Sequence, residues 1–306
     1  MPDAGPRAAI PLVRCGAIAR EVLADAGETR VIASFERSFY LACPRGIVCI
    51  GTPGIGAGPI QAEVSLPEGM TWATLGIMPE ARGETSGDVT AIGDGLLLDI
   101  ATGSTWLPPP MPDFEAMRVR RGTIALRNHA RAGLPDEGFA RLIFGDPVAE
   151  RDLSAMMKAA RGPLDDLQGA LRPSLDGDTW RAEAVQAATL LVGLGPGFTP
   201  SGDDVLGGLL LALTSAGRIG LRDALWQALE PELDALTVPA SAMHLSAAAD
   251  GMAGEPVHLL LNAILRDDVE SLPAHLQRVA AIGHTSGWDC LAGLVMGLEA
   301  LAEDVV

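Results

Sequence analysis

Along the first third of the chain, apolar and polar positions follow short patterns broken every few residues by Gly or Pro. Val31, Ala33 and Phe35 alternate with Ile32, Ser34 and Glu36, a period of two that predicts a strand over 31–36. Phe39-Tyr40-Leu41, Ile47-Val48-Cys49-Ile50, the strictly alternating 61–66 segment and Leu96-Leu97-Leu98 add further strands. One short helix is expected over 17–24. Pro108-Pro109-Pro110 makes a stiff break.

Beyond that break the period changes. From about Phe114 apolar residues recur at helical spacing. Helices are predicted over 137–144, 152–161, 179–191, 202–215, 221–236, 240–251, 256–266, 272–282 and 287–301. Pro231 should kink or split the fifth of these. Several are apolar nearly all round, as in a helix buried within a bundle. The expected fold class is therefore α+β. A β-rich domain over 1–110 is expected to precede a mainly helical domain over 111–306.

Composition narrows the function. The chain has 306 residues, 48% of them hydrophobic, enough for a substantial core. Its net charge of −17 disfavours nucleic acid and anionic lipid as partners. An anionic ligand must then be held by local donors, such as backbone N–H groups. Lys158 is the only lysine, so no Gly-rich loop ends in Gly-Lys and a Walker A site is excluded. Cys15, Cys43, Cys49 and Cys290 form no C-x-x-C pair. The stretch Ala8 to Val13 is too short for a signal core, and no apolar run reaches about 18 residues. A cytoplasmic protein with reduced thiols and no membrane span is expected.

The helical half contains a repeat. Ser-Gly-Asp-Asp-Val-Leu-Gly-Gly-Leu-Leu-Leu-Ala-Leu begins at Ser201, and Ser-Gly-Trp-Asp-Cys-Leu-Ala-Gly-Leu-Val-Met-Gly-Leu begins at Ser286, 85 residues later without gaps. Seven of the thirteen positions are identical, and Asp203 stands opposite Trp288. In each copy Ser followed by an acid three residues on reads as a capping box: Ser201 with Asp204, and Ser286 with Asp289. Gly207, Gly208, Ala292 and Gly293 suit two helices in close approach.

The segments leading into the copies add chemistry. Gly193-Leu194-Gly195-Pro196-Gly197-Phe198-Thr199-Pro200 is a glycine-rich loop entering a helix, a common cradle for an anion. Ile282-Gly283-His284-Thr285 brings an imidazole and a hydroxyl to the second start. Gly195, Gly197, Thr199, Ser201, Gly202, Thr285, Ser286 and Gly287 are the candidate substrate-binding residues. Asp203, with no capping duty, is a candidate for catalysis. Together with Asp204 it is also a candidate to bind Mg²⁺, although nothing in the sequence requires a cofactor. His244, His258 and His275, on predicted helices, read as packed or solvent-facing. The loop Gly54 to Pro59 reads as a turn, Asn128-His129 as a solvated basic spot, and Ser86-Gly87-Asp88 as a chance echo of the repeat.

The run Gly-Leu-Gly-Pro-Gly-Phe-Thr-Pro-Ser-Gly-Asp-Asp from Gly193, followed far downstream by Gly-His-Thr-Ser-Gly-Trp-Asp from Gly283, resembles a bacterial family once classed as a domain of unknown function. Its members are described as a subunit of oxamate carbamoyltransferase, acting in allantoin catabolism. The likeness covers most of the helical half, with weaker support from Ser241 to Gly251. It implies carbamoyl transfer between oxalurate plus phosphate and oxamate plus carbamoyl phosphate, with other subunits as partners. Such a transfer needs an oxyanion stabiliser and a proton carrier. His284 is the candidate for the second role, with Thr199, Ser201, Thr285 and Ser286 as donors. Two other functions fit the residues: an Mg²⁺-dependent enzyme using ATP or phosphate, and a non-catalytic subunit whose repeat only packs helices.

Overall fold

The computed structural model describes residues 9–145, 149–177 and 179–303. The fold is α+β. The chain divides into two compact units, Met1–Pro108 and Pro109–Val306.

The first unit contains β1 (Ile10–Gly16), α1 (Ala17–Leu23), β2 (Gly27–Ser34), β3 (Ser38–Cys43), β4 (Gly46–Gly51), β5 (Gln61–Val64), β6 (Arg82–Ser86), β7 (Val89–Ile92), β8 (Leu96–Asp99) and β9 (Ser104–Trp106). The strands run in the order β5-β4-β3-β2-β6-β7-β8-β1, and β5 pairs back onto β1, closing a ring of eight. Closure removes the free edges that an open sheet would expose. β1 pairs β8 through Ile10 and Pro11, then β9 through Arg14, Cys15 and Gly16. Val31, Phe39, Leu41, Val48, Ile50, Val64, Ile92 and Leu98 are all fully buried.

Five of these strands and α1 lie where the sequence pattern placed them. β1 holds the apolar stretch Ile10–Val13; Ala8 lies outside the described residues. β6 escaped because Arg-Gly-Glu-Thr-Ser carries no apolar alternation. The alternation read through Phe35 stops short: a register shift between Val31 and Ala33 breaks it, and Phe35 lies beyond β2, half exposed.

The second unit contains α2 (Ala116–Ala130), α3 (Ala140–Phe144), α4 (Ala155–Gly177), α5 (Ala182–Leu191), α6 (Ser201–Ser215), α7 (Ile219–Leu229), α8 (Leu233–Leu236), α9 (Pro239–Ala249), α10 (Glu255–Leu265), α11 (Leu272–Ala280) and α12 (Ser286–Glu303). Pro231 splits α7 from α8 through a short 3₁₀ turn, Glu230–Glu232. α2 lies outside the helices read from the sequence, because five arginines and histidines dilute its apolar stripe. Val119, Thr123, Leu126 and Ala130 nevertheless recur on one buried face. α4 continues past Arg161, where the helix read from the sequence ends, and takes in Pro163. Ala160, Leu164, Leu167 and Leu171 keep the helical period and are buried, and their packing outweighs the lost N–H.

α6 and α12 form the centre of this unit, and both are buried nearly all round. They are the two copies of the repeat, and they cross at their glycines. A Cβ on Gly208 would stand 2.0 Å from the Cys290 carbonyl oxygen. A Cβ on Gly293 would stand 1.8 Å from that of Val205. Val205 and Cys290 are themselves matched by the 85-residue offset, so the contact is reciprocal. The helix starts repeat the arrangement. Gly202 packs on the Leu191 carbonyl at the end of α5, and Gly287 on the Val279 carbonyl at the end of α11. The Gly202 N–H donates to Leu194 O, and the Gly287 N–H to Ile282 O. The duplication therefore extends to a helix end, a loop and a helix start.

Candidate functional site

The two distant segments meet. Thr199 Oγ1 and Ser286 Oγ lie 2.7 Å apart, joining the loop before α6 to the first residue of α12.

The capping boxes expected from the sequence do not form. Pro200 occupies the N-cap of α6, and no side chain caps it. Its extended backbone moves Ser201 one place into the helix. Each serine then turns to the acid of the other copy. The Ser286 hydroxyl interacts with Asp204, and the Ser201 hydroxyl with Asp289. The reason is the crossing itself: helices that approach so closely bring each first turn onto its partner.

The two acids have different surroundings. Asp289 is fully buried, and its Oδ1 accepts from the N–H groups of Phe139 (2.6 Å) and Ala140 (2.9 Å), so it caps α3 rather than its own helix. Gly138, at φ +80°, lies on the same carboxylate; a Cβ there would stand 2.7 Å from Asp289 Oδ2. Burial raises the Asp289 pKa above the ordinary carboxylate value, opposed by Ser201, the two N–H donors and Thr285. Asp204 is raised well above that value, first by burial and then by Asp289, with the Ser286 hydroxyl pulling the other way and Asp203 adding to the rise. Its Oδ2 is buried without a hydrogen-bond partner among the described residues.

Asp203 is a clamp. It is 2% exposed. Its Oδ1 accepts from the Gly193 N–H (2.8 Å), and its Oδ2 from the hydroxyls of Ser241 (2.6 Å) and Thr237. Gly193, at φ +70°, begins the glycine-rich loop, so Asp203 fixes that loop to the chain before α9 and to α9 itself. Trp288, its counterpart in the second copy, is also buried but presents an indole against Gly133.

The remaining candidates differ in exposure. Gly197 is exposed at φ +96°, and nothing stands where its Cβ would be. Gly195, Thr199, Thr285 and Ser286 are half-buried, whereas Ser201, Gly202 and Gly287 are buried. His284 is exposed, and its Nε2 lies 3.2 Å from Glu137 Oε2. Glu137 gave no signal in the sequence, since its partner lies 147 residues away. Burial first, then Asp204 and Asp289, push the Cys290 thiol up to about 12, so it stays protonated at neutral pH. Among the described residues, no group of three or more His, Cys, Asp or Glu side chains is placed to hold a metal ion. No helix there is long and apolar enough to cross a membrane.

The joined segments lie within one matched stretch. Residues 191–298 match the family described as oxamate carbamoyltransferase subunit AllH. The match bears out the family resemblance read from the Gly193 and Gly283 motifs. It takes in the glycine-rich loop, α6, His284 and most of α12, and it leaves out the barrel, α2 and the loop carrying Glu137. No solved structure matches the chain.

Proposed function

We propose that the chain is a subunit of an oxamate carbamoyltransferase and that the joined starts of α6 and α12 hold its anionic substrates. The observation that carries this reading is the Thr199–Ser286 contact of 2.7 Å inside the matched stretch. It sets two hydroxyls together beside a glycine-rich loop that ends in a buried helix. Such a loop offers donors and the positive end of a helix dipole to a carboxylate or phosphate. In a chain of net charge −17, local donors are what an anion needs.

The reaction fits these groups. The amide nitrogen of oxamate attacks the carbamoyl carbon of carbamoyl phosphate. The N–C bond forms, the bond from carbon to the phosphate oxygen breaks, and phosphate departs with the electron pair. The nitrogen loses one proton, and we assign His284, beside Glu137, to take it. Thr199, Thr285 and Ser286 serve as donors to the substrate oxygens. Ser201, Gly202 and Gly287 serve from beneath, by fixing the helix starts. Asp203 acts through the loop it clamps. Nothing in these steps is routed through a metal ion, so they predict activity that survives EDTA.

A second reading makes the chain a structural subunit, with the chemistry on a partner. The packing duties of Gly202, Gly208, Gly287 and Gly293 favour it, since close packing accounts for all four. Labelled oxamate and carbamoyl phosphate separate the two. Binding to the isolated chain, with turnover of the assembled complex lost in His284→Ala, supports the first. Absent binding and near-normal turnover of that variant overturn it.

A further inference from the structure

Thr199 Oγ1 and Ser286 Oγ lie 2.7 Å apart, and either oxygen can be the donor. Each hydroxyl has one hydrogen and two lone pairs. Their contact takes one of the two hydrogens. Ser286 also meets the carboxyl of Asp204. An ionised Asp204 has no hydrogen of its own and accepts the one on Ser286. Thr199 must then donate to Ser286, and the pair has nothing left to donate outward. A protonated Asp204 brings a third hydrogen. It donates to Ser286 Oγ, the contact keeps its own hydrogen, and the last one is free to leave the pair.

Three acids crowd these two helix starts, and their donors differ. Asp203 accepts from the Gly193 N–H and from the hydroxyls of Ser241 and Thr237. Asp289 accepts from two N–H groups, those of Phe139 and Ala140. Among the described residues no N–H group donates to the Asp204 carboxyl, which meets the Ser286 hydroxyl. One oxygen of Asp204 and one of Asp289 are buried without a partner there. Donors are what hold a carboxylate ionised, so a proton shared among three acids goes to the one with fewest. The pKa directions agree. Asp204 is raised well above the ordinary value by burial and then by Asp289, whereas the two N–H groups oppose the rise of Asp289.

We infer that Asp204 carries a proton and is a positioning residue: it donates to Ser286 and so turns one hydroxyl of the Thr199–Ser286 pair outward, to an oxygen of the anionic substrate. The inference rests on the anion-site reading above. Thr199 and Ser286 are both half-buried, so the outward hydroxyl has an open side, and Asp204 needs no contact with the substrate itself. A chain from carboxyl to hydroxyl to hydroxyl polarises each link and strengthens the last donor.

The test separates a permanent donor from an acceptor. Asparagine at this position donates an N–H to Ser286 as a protonated acid does, and alanine donates nothing. Affinities for oxamate and for inorganic phosphate are measured by calorimetry on the full chain, alone and co-purified with its partner subunits. Asp204→Asn should bind both anions close to wild type, and Asp204→Ala should bind both about tenfold more weakly. Asp204→Asn binding as weakly as Asp204→Ala overturns the inference, because an ionised acceptor is then what the site requires. Asp204→Ala binding as tightly as wild type overturns it too, and leaves the anion site standing. If wild type binds neither anion, the anion site falls and the inference with it. The infrared spectrum gives a second readout. Wild type at neutral pH should show the C=O stretch of a protonated carboxyl that Asp204→Asn lacks, and equal bands in the two chains overturn the inference. Should neither variant fold, that band in wild type decides alone. It should move to lower frequency when oxamate binds, and an absent or unmoved band overturns the proposal.

Discussion

Gly208 and Gly293 stand at matching places in the two copies, and each receives the backbone of the other's helix where a side chain would be. A Cβ at Gly208 would meet Cys290 O at 2.0 Å, and one at Gly293 would meet Val205 O at 1.8 Å. Backbone cannot step aside as a flexible side chain does. Gly208→Ala and Gly293→Ala should each cost about 3 kcal/mol, at the upper end for overpacking. Gly207, the adjacent position, is the control. Its Cβ would meet only the Ala248 methyl, at 3.7 Å. There, alanine should stabilise by about 0.5–1 kcal/mol through helix propensity. Denaturant midpoints for the three variants test this, and equal effects at 207 and 208 would refute the crossing.

Asp203 yields a different signature from a catalytic carboxylate. Its three donors, Gly193, Ser241 and Thr237, lose their acceptor together in Asp203→Ala, which should cost about 3–5 kcal/mol. The melting temperature should fall, and limited proteolysis should cut first around 193–199, where the loop is released. A catalytic role alone would instead abolish turnover at unchanged melting temperature.

The repeat was legible because it is local: thirteen ordered positions with small residues in fixed places. The motif also carried the family resemblance. What could not be read was the direction of the serines. A capping box is a one-helix device, and nothing in Ser201 to Asp204 reports that a second helix lies close enough to take the serine away. α2 escaped for a compositional reason, since Arg118, Arg120, Arg121 and Arg127 break up a stripe that only burial reveals. Glu137 was silent because its meaning depends on His284, 147 positions along. Closure of the barrel was likewise out of reach, because the β1–β5 pairing joins residues about 50 apart and nothing in either segment names the other.

His258 should make the fold acid-sensitive. It is 1% exposed, and its Nε2 accepts from the Ala253 N–H at 3.0 Å, so that nitrogen must carry a lone pair. Burial lowers its pKa from 6.5 to about 4. A folded pKa below the unfolded one gives stability that is complete above pH 6.5 and is lost as the pH falls toward 4. At 1.36 kcal/mol per unit, the loss is about 3 kcal/mol. Asp204 and Asp289, both raised, act with the opposite sign, losing stability as pH rises above the ordinary carboxylate range. His258→Gln keeps an acceptor for Ala253 and removes the titration. His244, which burial also lowers to about 4, titrates in both chains, so the difference between the two stability curves over pH 4–6.5 isolates the His258 slope.

The loop carrying Glu137 should couple a buried contact to the exposed imidazole. Gly138 holds φ +80°, and a Cβ there would stand 2.7 Å from Asp289 Oδ2 and 2.9 Å from Thr285 Cβ. The next two N–H groups, of Phe139 and Ala140, are bonded to the same carboxylate. Gly138→Ala therefore pushes the loop off Asp289 and takes Glu137 away from His284. Strain and weakened bonds together should cost about 2 kcal/mol. Glu137→Gln isolates the second consequence. The contact is exposed on both sides and adds almost nothing to stability, so the melting temperature should not move. Turnover of the assembled complex should nevertheless drop about tenfold, because the imidazole loses the group that orients it. Glu137→Gln with full turnover, alongside an inactive His284→Ala, would show that the histidine works without this partner. Gly138→Ala would then lower stability and leave the chemistry intact.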